Sequence, residues 1–390
     1  MGNAETVFLQ AVRDGLQRRM MENPGLSRDE WKALLNISFE QSLLPVVFEA
    51  VYVYLPEDLE QEYRIYAIEC IRRQMRSTRK FLEVYGKLIS GGFSPLVVKG
   101  IVCRNAYMLS DWRVSSDEDI YIKKDDYDRF HGLMKQLGFK CREPNYDSEH
   151  ELLYYKDGLH IEGHWELFPK ENMLWQHMNE LSEEILKRAR YLDIEGTAVL
   201  APEPTDHMIY LLLHAMKHFS LAGVGIRQIC DIVQWNNKYK VDWNRVRTTM
   251  EQLGGIRFTE ALLDAGHRYF DMPVPDGWNL KDSSHLIEDA LKGGVFGSST
   301  KERLHSAAFT SVDGIGHHFA YDLLRSIFPS RKVMEINYPW VSKSRALLPL
   351  GWSVRLIKYA ANIGKGNSPI KSIQIGSGRV KLLKEYDVFQ

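Results

Sequence analysis

The spacing of hydrophobic residues divides the chain into regions of different period. In the first region, residues 1–92, apolar positions recur every three or four residues, which predicts amphipathic helices. Ser27 followed by Glu30 has the form of a capping box at a helix start. The glycines at 91 and 92 end the pattern, so we predict an N-terminal helical region up to this point.

The second region, residues 93–169, contains short apolar runs separated by turn residues. The run 95–99 and the alternating run 117–122 predict two strands. Asp157-Gly158 lies between two further strand-like runs, which is a strong signal for a β-hairpin. Helices are predicted over 101–109 and over 125–137, the second capped by Asp125, and a strand is predicted over 139–142. This order of elements indicates an α/β core with a mixed sheet.

The third region, residues 170–365, returns to helical spacing. Helices are predicted over 206–221, 226–239, 243–253, 256–269 and 317–327. Residues 366–390 are rich in Gly and Ser and basic, which predicts a solvated, partly ordered tail. A contact of this tail with a nucleotide, RNA or lipid is the alternative. The predicted fold class is therefore α+β, with a mixed sheet flanked by N-terminal and C-terminal helical regions.

Composition excludes several classes of protein. Lys and Arg number 50 against 51 Asp and Glu, so the net charge is −1, whereas dedicated nucleic-acid binders are usually clearly basic. Hydrophobic residues make up 44% of the chain, which argues against intrinsic disorder. None of the four cysteines lies in a C-x-x-C pair, so neither a structural zinc site nor a disulfide scaffold is expected. No apolar run reaches the ~18 residues of a membrane span and no signal peptide is recognised, so we predict a cytoplasmic protein.

Three carboxylates in the second region form the strongest candidate for chemistry. Asp117 and Asp119 are two apart on a predicted strand, so their side chains share one face. Glu162 lies on the second strand of the predicted hairpin, and a sheet can place it beside them. Oxygen ligands of this kind are preferred by Mg²⁺. Three carboxylates with two metal ions are a common arrangement for in-line attack on a nucleotide phosphate.

Histidines offer a second interpretation of the same strands. His160, Glu162 and His164 could form a single-metal site of the hydrolase type, but this site leaves Asp117 and Asp119 without a role. Three further histidines recur at helical spacing at 207, 214 and 218. We interpret them as a polar seam that packs against the sheet.

Several segments together resemble a known family. The segments are Pro95–Gly100, then Arg113 with Asp117-Glu-Asp119-Ile-Tyr-Ile, then Ile161-Glu162-Gly-His164-Trp165, and later parts of 206–231 and 328–355. They resemble the uncharacterised nucleotidyltransferase family of the DNA polymerase β-like superfamily, from about residue 40 to 360. The resemblance implies a nucleotidyltransferase-like core that transfers a nucleoside monophosphate from an NTP, with Mg²⁺ or Mn²⁺. The acceptor is left open among protein, sugar, small molecule and RNA.

The resemblance also implies roles for individual residues. Asp117, Asp119 and Glu162 would be the metal ligands and catalytic carboxylates. Lys99 and Gly100 would lie near the phosphates, Lys99 as a point charge and Gly100 by allowing backbone N–H groups to approach. Arg113 and Arg227 are candidate nucleotide or phosphate contacts. For Arg113 the alternatives are a pair with a carboxylate and an exposed position on the surface. For Arg227 the alternative is an intrahelical ion pair with Asp231, four residues along the helix.

The chain departs from the family pattern at three points. Glu118 and Gly163 stand where apolar residues are usual, and the Gly-Ser pair of the wider superfamily is replaced by Lys99-Gly100. All three predicted metal ligands are present, so an active enzyme is predicted. A non-catalytic nucleotide-binding or regulatory protein of the same fold is the alternative.

Overall fold

The computed structural model describes residues 1–146, 149–169, 173–295, 344–363 and 369–388, together with positions 331, 334, 338, 340 and 341. The α-helices in these ranges are α1 (Asn3–Leu16), α2 (Arg28–Glu40), α3 (Leu44–Val51), α4 (Glu57–Ser90), α5 (Gly100–Arg104), α6 (Lys124–Gln136), α7 (Met173–Lys187), α8 (Pro204–Leu221), α9 (Ile226–Lys238), α10 (Trp243–Gln252), α11 (Ile256–Phe270), α12 (Ser284–Gly293), α13 (Leu348–Ile363) and α14 (Pro369–Glu385). The strands are β1 (Leu96–Val98), β2 (Glu118–Tyr121), β3 (Glu151–Lys156), β4 (Leu159–His164), β5 (Arg190–Ile194) and β6 (Thr197–Ala201).

The central sheet has four strands in the order β1-β2-β4-β3. β1 is antiparallel to β2, β2 is parallel to β4, and β3 and β4 form the predicted hairpin around Asp157-Gly158. The predicted mixed sheet and α+β fold class are therefore confirmed. The strand predicted over 139–142 is reduced to a single bridge between Lys140 and Tyr155.

Two helices of this region differ from their predictions. α5 is only five residues long, whereas a helix was predicted over 101–109. α6 begins at Lys124 with Lys123 at its N-cap, so Asp125 lies in the first turn and does not cap the helix. Acidic side chains are favourable in the first turn as well as at the cap, because the helix dipole is positive there. The sequence therefore predicted a helix here correctly, but the predicted N-cap lies two residues beyond the observed one.

The N-terminal helices form as predicted. The capping box at the start of α2 is confirmed, since Glu30 accepts a hydrogen bond of 2.9 Å from the backbone N–H of Ser27 and Ser27 caps Glu30 in return. The apolar faces of α1, α2 and α3 are buried in one hydrophobic core that continues into the C-terminal helices. Gln41 connects the N-terminal helices to the C-terminal helices, because its side-chain amide donates to the carbonyl of Ala290 and accepts from the N–H of Ile226.

The C-terminal region departs from its prediction in two places. The hairpin β5-β6 lies within a stretch predicted to be helical throughout. Residues 369–385, which were predicted to belong to a solvated, partly ordered tail, form helix α14, and Arg379 within it is buried and pairs with Asp289 at 2.9 Å. The helix predicted over 317–327 lies outside the described residues. The proposed domain boundaries at 92, 169 and 365 stay predictions.

None of the helices in the described ranges combines the length and the apolar composition that a membrane span requires.

Candidate active site

The parallel pairing of β2 with β4 places Asp119 directly beside Glu162. The two residues are register partners, so their side chains leave the sheet on the same face. Asp119 is almost fully buried, with 1% of its surface exposed, and Glu162 is partly exposed. Asp117 lies just before β2 and is half-buried, and its charge acts on Glu162. The predicted proximity of Glu162 to the Asp-x-Asp segment is confirmed by this register.

Lys99 lies at the end of β1, next to the carboxylates. Its Nζ is 3.1 Å from Oδ2 and 3.2 Å from Oδ1 of Asp119, and it is 3.1 Å from Nε2 of His214 on α8. The backbone N–H of Lys99 donates to Nε2 of His207 at 3.1 Å. Helix α8 therefore holds both the backbone and the side chain of Lys99, which confirms the predicted polar seam of histidines against the sheet.

The backbone at Lys99 is strained. Its φ of 54° and ψ of −134° belong to a region that glycine adopts readily and other residues rarely do. Such outliers cost about 1–3 kcal/mol each and concentrate at functional sites. The strained residue here is the one whose ammonium reaches Asp119.

His164 connects the carboxylates of three strands. Its Nε2 lies 3.3 Å from Oδ1 of Asp119 and 3.9 Å from Oε2 of Glu162, and its Nδ1 lies 3.1 Å from Oε2 of Glu151. The role of Glu151 was missed by the sequence analysis. A signal was present, because the tight turn at Asp157-Gly158 sets a register in which Glu151 pairs with His164.

The two adjacent carboxyl groups have pKa values displaced in opposite directions. Burial opposes ionisation of Asp119, but the Lys99 ammonium and His164 outweigh it and hold the pKa of Asp119 below its usual range. Partial burial, followed by the charges of Asp119 and Glu151, raises the pKa of Glu162 to about 8. The surroundings therefore favour the ionised form of Asp119 and the protonated form of Glu162, a separation typical of functional carboxylate pairs.

The donor set fits a divalent cation. Asp119, Glu162 and His164 each offer a ligand atom, and these atoms lie within 4.8 Å of one another. Oδ2 of Asp119 is buried and accepts no well-aligned hydrogen bond from the described residues, but the Lys99 ammonium lies 3.1 Å from it, so a cation that binds this oxygen must displace Lys99. His150, Glu151 and His164 form a second such grouping. His160 belongs to neither grouping among the described residues, and its ring packs edge-on against Tyr155.

Residues 27–271, well over half of the chain, match the model of the family described as uncharacterised nucleotidyltransferase. The chain belongs to the uncharacterised nucleotidyltransferase family. Membership supports nucleotidyl transfer as the activity and a nucleoside triphosphate as a substrate, and nucleotidyltransferases generally use divalent metals. A search of the curated proteins finds none that matches the chain.

Among solved structures, this member of the uncharacterised nucleotidyltransferase family is similar to the antibiotic-resistance factor ANT(2'')-Ia. The identity is 11% and the TM-score 0.32, over 52% of this chain and 98% of that one.

Two departures from the uncharacterised nucleotidyltransferase pattern have physical reasons. Glu118 lies on the face of β2 opposite Asp119, where it is buried and paired with Arg104, and it accepts a 2.6 Å hydrogen bond from the N–H of Ile101. Its charge is thus neutralised away from the site. At Gly163, an added Cβ would lie 2.9–3.0 Å from three aromatic side chains, so no apolar side chain fits there.

Gly100 is required by the same Glu118 contact. Its φ is +34°, and a Cβ on it would lie only 2.1 Å from Oε2 of Glu118. The backbone N–H groups on either side, at Lys99 and Ile101, already donate to His207 and Glu118. These two backbone N–H groups are therefore not free to donate to a phosphate, as the resemblance had implied. The group of Lys99 that faces the carboxylates is its ammonium.

Replacing Gly100 by alanine is expected to lower the free energy of unfolding by about 1–3 kcal/mol, because the new Cβ overlaps Glu118. The matched control is Gly86→Ala in the exposed part of α4, where no described atom lies within 4 Å of the added Cβ. This control should be neutral or stabilise by up to about 1 kcal/mol. Urea unfolding of both variants checks the prediction, and equal effects would contradict it.

The two arginines predicted to contact the nucleotide are engaged within the protein. Arg113 is 1% exposed and forms a bidentate ion pair with Asp231, with distances of 2.8 and 2.7 Å. Tyr107 donates to the same carboxylate at 2.8 Å. Arg227 is buried and donates to the carbonyl of Val114. For Arg113 the structure supports the alternative of an ion pair, and a phosphate contact by either arginine stays a prediction.

The buried imidazole of His207 makes stability depend on pH. Burial lowers its pKa to about 3, so the folded state keeps this residue neutral while the unfolded chain protonates it below its ordinary pKa of 6.5. The contribution to stability is thus complete above pH 6.5 and is lost progressively towards pH 3. The loss at pH 5 is about 2 kcal/mol relative to pH 8.

His207→Gln keeps an acceptor for Lys99 but does not titrate. The difference in unfolding free energy between pH 8 and pH 5 should therefore shrink by about 2 kcal/mol in this variant. His177→Gln, at an exposed position on α7, serves as the control and should leave that difference unchanged. An unchanged pH dependence in His207→Gln would show that this imidazole is not the group responsible.

Proposed function

We propose that this protein transfers a nucleoside monophosphate from an NTP to an acceptor hydroxyl at the face formed by β2, β4 and α8. The single observation that supports this most is the pairing of Asp119 with Glu162 across parallel strands, beside Asp117. Within a nucleotidyltransferase family, adjacent carboxylates at this position are suited to divalent cations that carry the triphosphate.

Asp119 and Glu162 would hold Mg²⁺ or Mn²⁺, with Asp117 as the third carboxylate. Bound there, the metal supplies charge stabilisation at the reacting phosphate and activates the attacking oxygen. The acceptor oxygen bonds to the α-phosphorus, the bond from the α-phosphorus to the bridging oxygen breaks, and pyrophosphate leaves. The hydroxyl proton is released to water.

The chain's own residues have distinct tasks in this proposal. His164 is a positioning residue, since it lies within 3.3 Å of both Asp119 and Glu151 and fixes the orientation of the Asp119 carboxylate. Glu162 gives up its proton when it ligates a cation, because metal binding favours the ionised carboxylate. Lys99 supplies the positive charge nearest to the carboxylates, within reach of a bound phosphate.

The test is incubation of the purified protein with each α-³²P-labelled NTP and Mg²⁺ or Mn²⁺, with a cell extract as the acceptor pool. The reference is the double variant Asp117→Ala/Asp119→Ala. Label that is transferred by the wild type and lost in the double variant supports the proposal and identifies the acceptor class. Metal-dependent NTP binding without transfer would instead favour the non-catalytic, regulatory alternative.

A further inference from the structure

Lys99 differs from an ordinary active-site lysine in how it is restrained. Only 12% of its side chain is exposed, its backbone N–H is held by His207, and its ammonium contacts Asp119 and His214. Burial lowers the pKa of His214 well below its ordinary value, so this imidazole is neutral and gives the ammonium an acceptor but no counter-charge. Asp119 is therefore the anion in direct contact with Lys99 among the described residues.

We propose that Lys99 is an internal counter-ion that makes this site select a metal-bound nucleoside triphosphate over the free divalent cation. The proposal rests on the proposed function and assigns Lys99 as the residue that determines this preference. Its basis is that one ammonium lies 3.1 and 3.2 Å from the two oxygens of the carboxylate that a metal would need.

A free cation that approaches Asp119 meets a like charge at contact distance. At such separations, and with restricted solvent, the repulsion between two cations is large. Lys99 would have to leave Asp119, and its other direct contact, His214, carries no negative charge, while Asp117 and Glu162 act on it without direct contact. A buried ammonium without an anion in contact is unfavourable, so binding of the cation alone is penalised.

A nucleoside triphosphate removes this penalty because it brings its own anions. The lysine side chain has four rotatable methylene groups, so the ammonium can move to a phosphate while the backbone stays held by His207. The metal and the triphosphate should therefore bind cooperatively, each strengthening the other. Glycine would adopt the backbone conformation at position 99 without strain, yet the chain has a strained lysine there. This agrees with a requirement for the lysine side chain at this position.

The test measures Mn²⁺ binding to the protein by the electron paramagnetic resonance signal of the free ion, after correction for the Mn²⁺ that the analogue chelates in samples without protein. Wild type, Lys99→Met and Lys99→Gly are compared with and without an NTP analogue whose α,β-bridge is a methylene group. Wild type should bind Mn²⁺ at least about tenfold more tightly with the analogue than without it. Both variants should bind Mn²⁺ alone about tenfold more tightly than wild type does, and the effect of the analogue should largely disappear.

Lys217→Met is the matched control for charge alone. Its Nζ contacts His150 at 3.2 Å, so it lies near the carboxylates without the contact to Asp119 that Lys99 makes. The effect of the analogue should survive in this variant. Lys99→Gly also guards against a folding defect, since glycine suits the backbone at this position.

The role of Lys99 and the proposed function are overturned by different results. If wild type binds Mn²⁺ with the analogue but the Lys99 variants bind Mn²⁺ alone no better than wild type, the role of Lys99 is overturned and the proposed function stands. If Lys217→Met loses the effect of the analogue as fully as Lys99→Met does, the preference arises from positive charge anywhere near the site, and the specific role of Lys99 as counter-ion is overturned. If no variant binds Mn²⁺ with or without the analogue, the proposed function is overturned, and the role of Lys99 with it.

Discussion

Asp119→Asn is expected to lower kcat/KM for nucleotidyl transfer by about 10³-fold. Asparagine keeps the size of the side chain but removes the ionised oxygen pair that lies beside Glu162 and contacts both Lys99 and His164. Charge stabilisation of a reacting phosphate by a bound metal amounts to several kcal/mol, and it depends on the ligands that hold the metal. The loss is measured with the labelled NTP and the acceptor class identified by the transfer assay.

Asp193→Asn is the matched control, since it makes the same chemical change at an exposed position on β5. It should retain the activity of the wild type. Circular dichroism and the melting temperature establish that Asp119→Asn is folded. A folded Asp119→Asn protein with near-normal kcat/KM would contradict the assignment of the site.

Asp231→Ala is expected to lower the free energy of unfolding by about 3–5 kcal/mol. Asp231 is the bidentate partner of Arg113 and also accepts from Tyr107, and both charged side chains are at most 3% exposed. Removing the carboxylate leaves a buried guanidinium without its counter-charge, which is among the costlier single changes in a protein interior. Urea unfolding monitored by tryptophan fluorescence measures the loss.

The double variant Arg113→Met/Asp231→Leu tests why Asp231→Ala lowers the free energy of unfolding. If the cost of Asp231→Ala arises from the stranded charge, apolar residues of similar size at both positions should restore most of the stability. A double variant as unstable as Asp231→Ala would show that packing or the Tyr107 contact is responsible. Arg13→Met, which removes a partly exposed arginine on α1, is the surface control and should cost about 0–1 kcal/mol.

Much of the fold follows from local pattern in the sequence. The Asp157-Gly158 turn, the alternation on β2 and the Ser27 capping box all act over a few residues, and each predicted its element correctly. The hairpin β5-β6 was missed because its strands are short and its turn, Glu195-Gly196, lies in a largely helical region. Helix α14 was missed because its Gly and Ser residues disfavour helix, while burial of Arg379 against Asp289 stabilises it.

The part of the candidate site that depends on the register of a single sheet was predictable from the sequence. Two carboxylates in strands of one sheet can be expected to meet, and Asp119 and Glu162 do so as register partners. The contacts of Lys99 with His207 and His214 were not predictable, since they depend on how α8 packs against the sheet more than 100 residues later in the chain. The partner of Arg113 was hidden for the same reason, because Asp231 reaches it only through the position of α9.

The hold of α8 on Lys99 has an evolutionary consequence. A substitution at position 99 deprives His214 of its side-chain partner, while the backbone N–H that donates to His207 is kept by every residue but proline. A substitution at 207 or 214 removes an acceptor from Lys99. Among relatives, positions 99 and 214 should therefore change together more often than their distance along the chain suggests. The segment from β1 to α5, which carries Lys99, is consequently poorly suited to recombination with a foreign helical region, because the new helix would have to supply both acceptors.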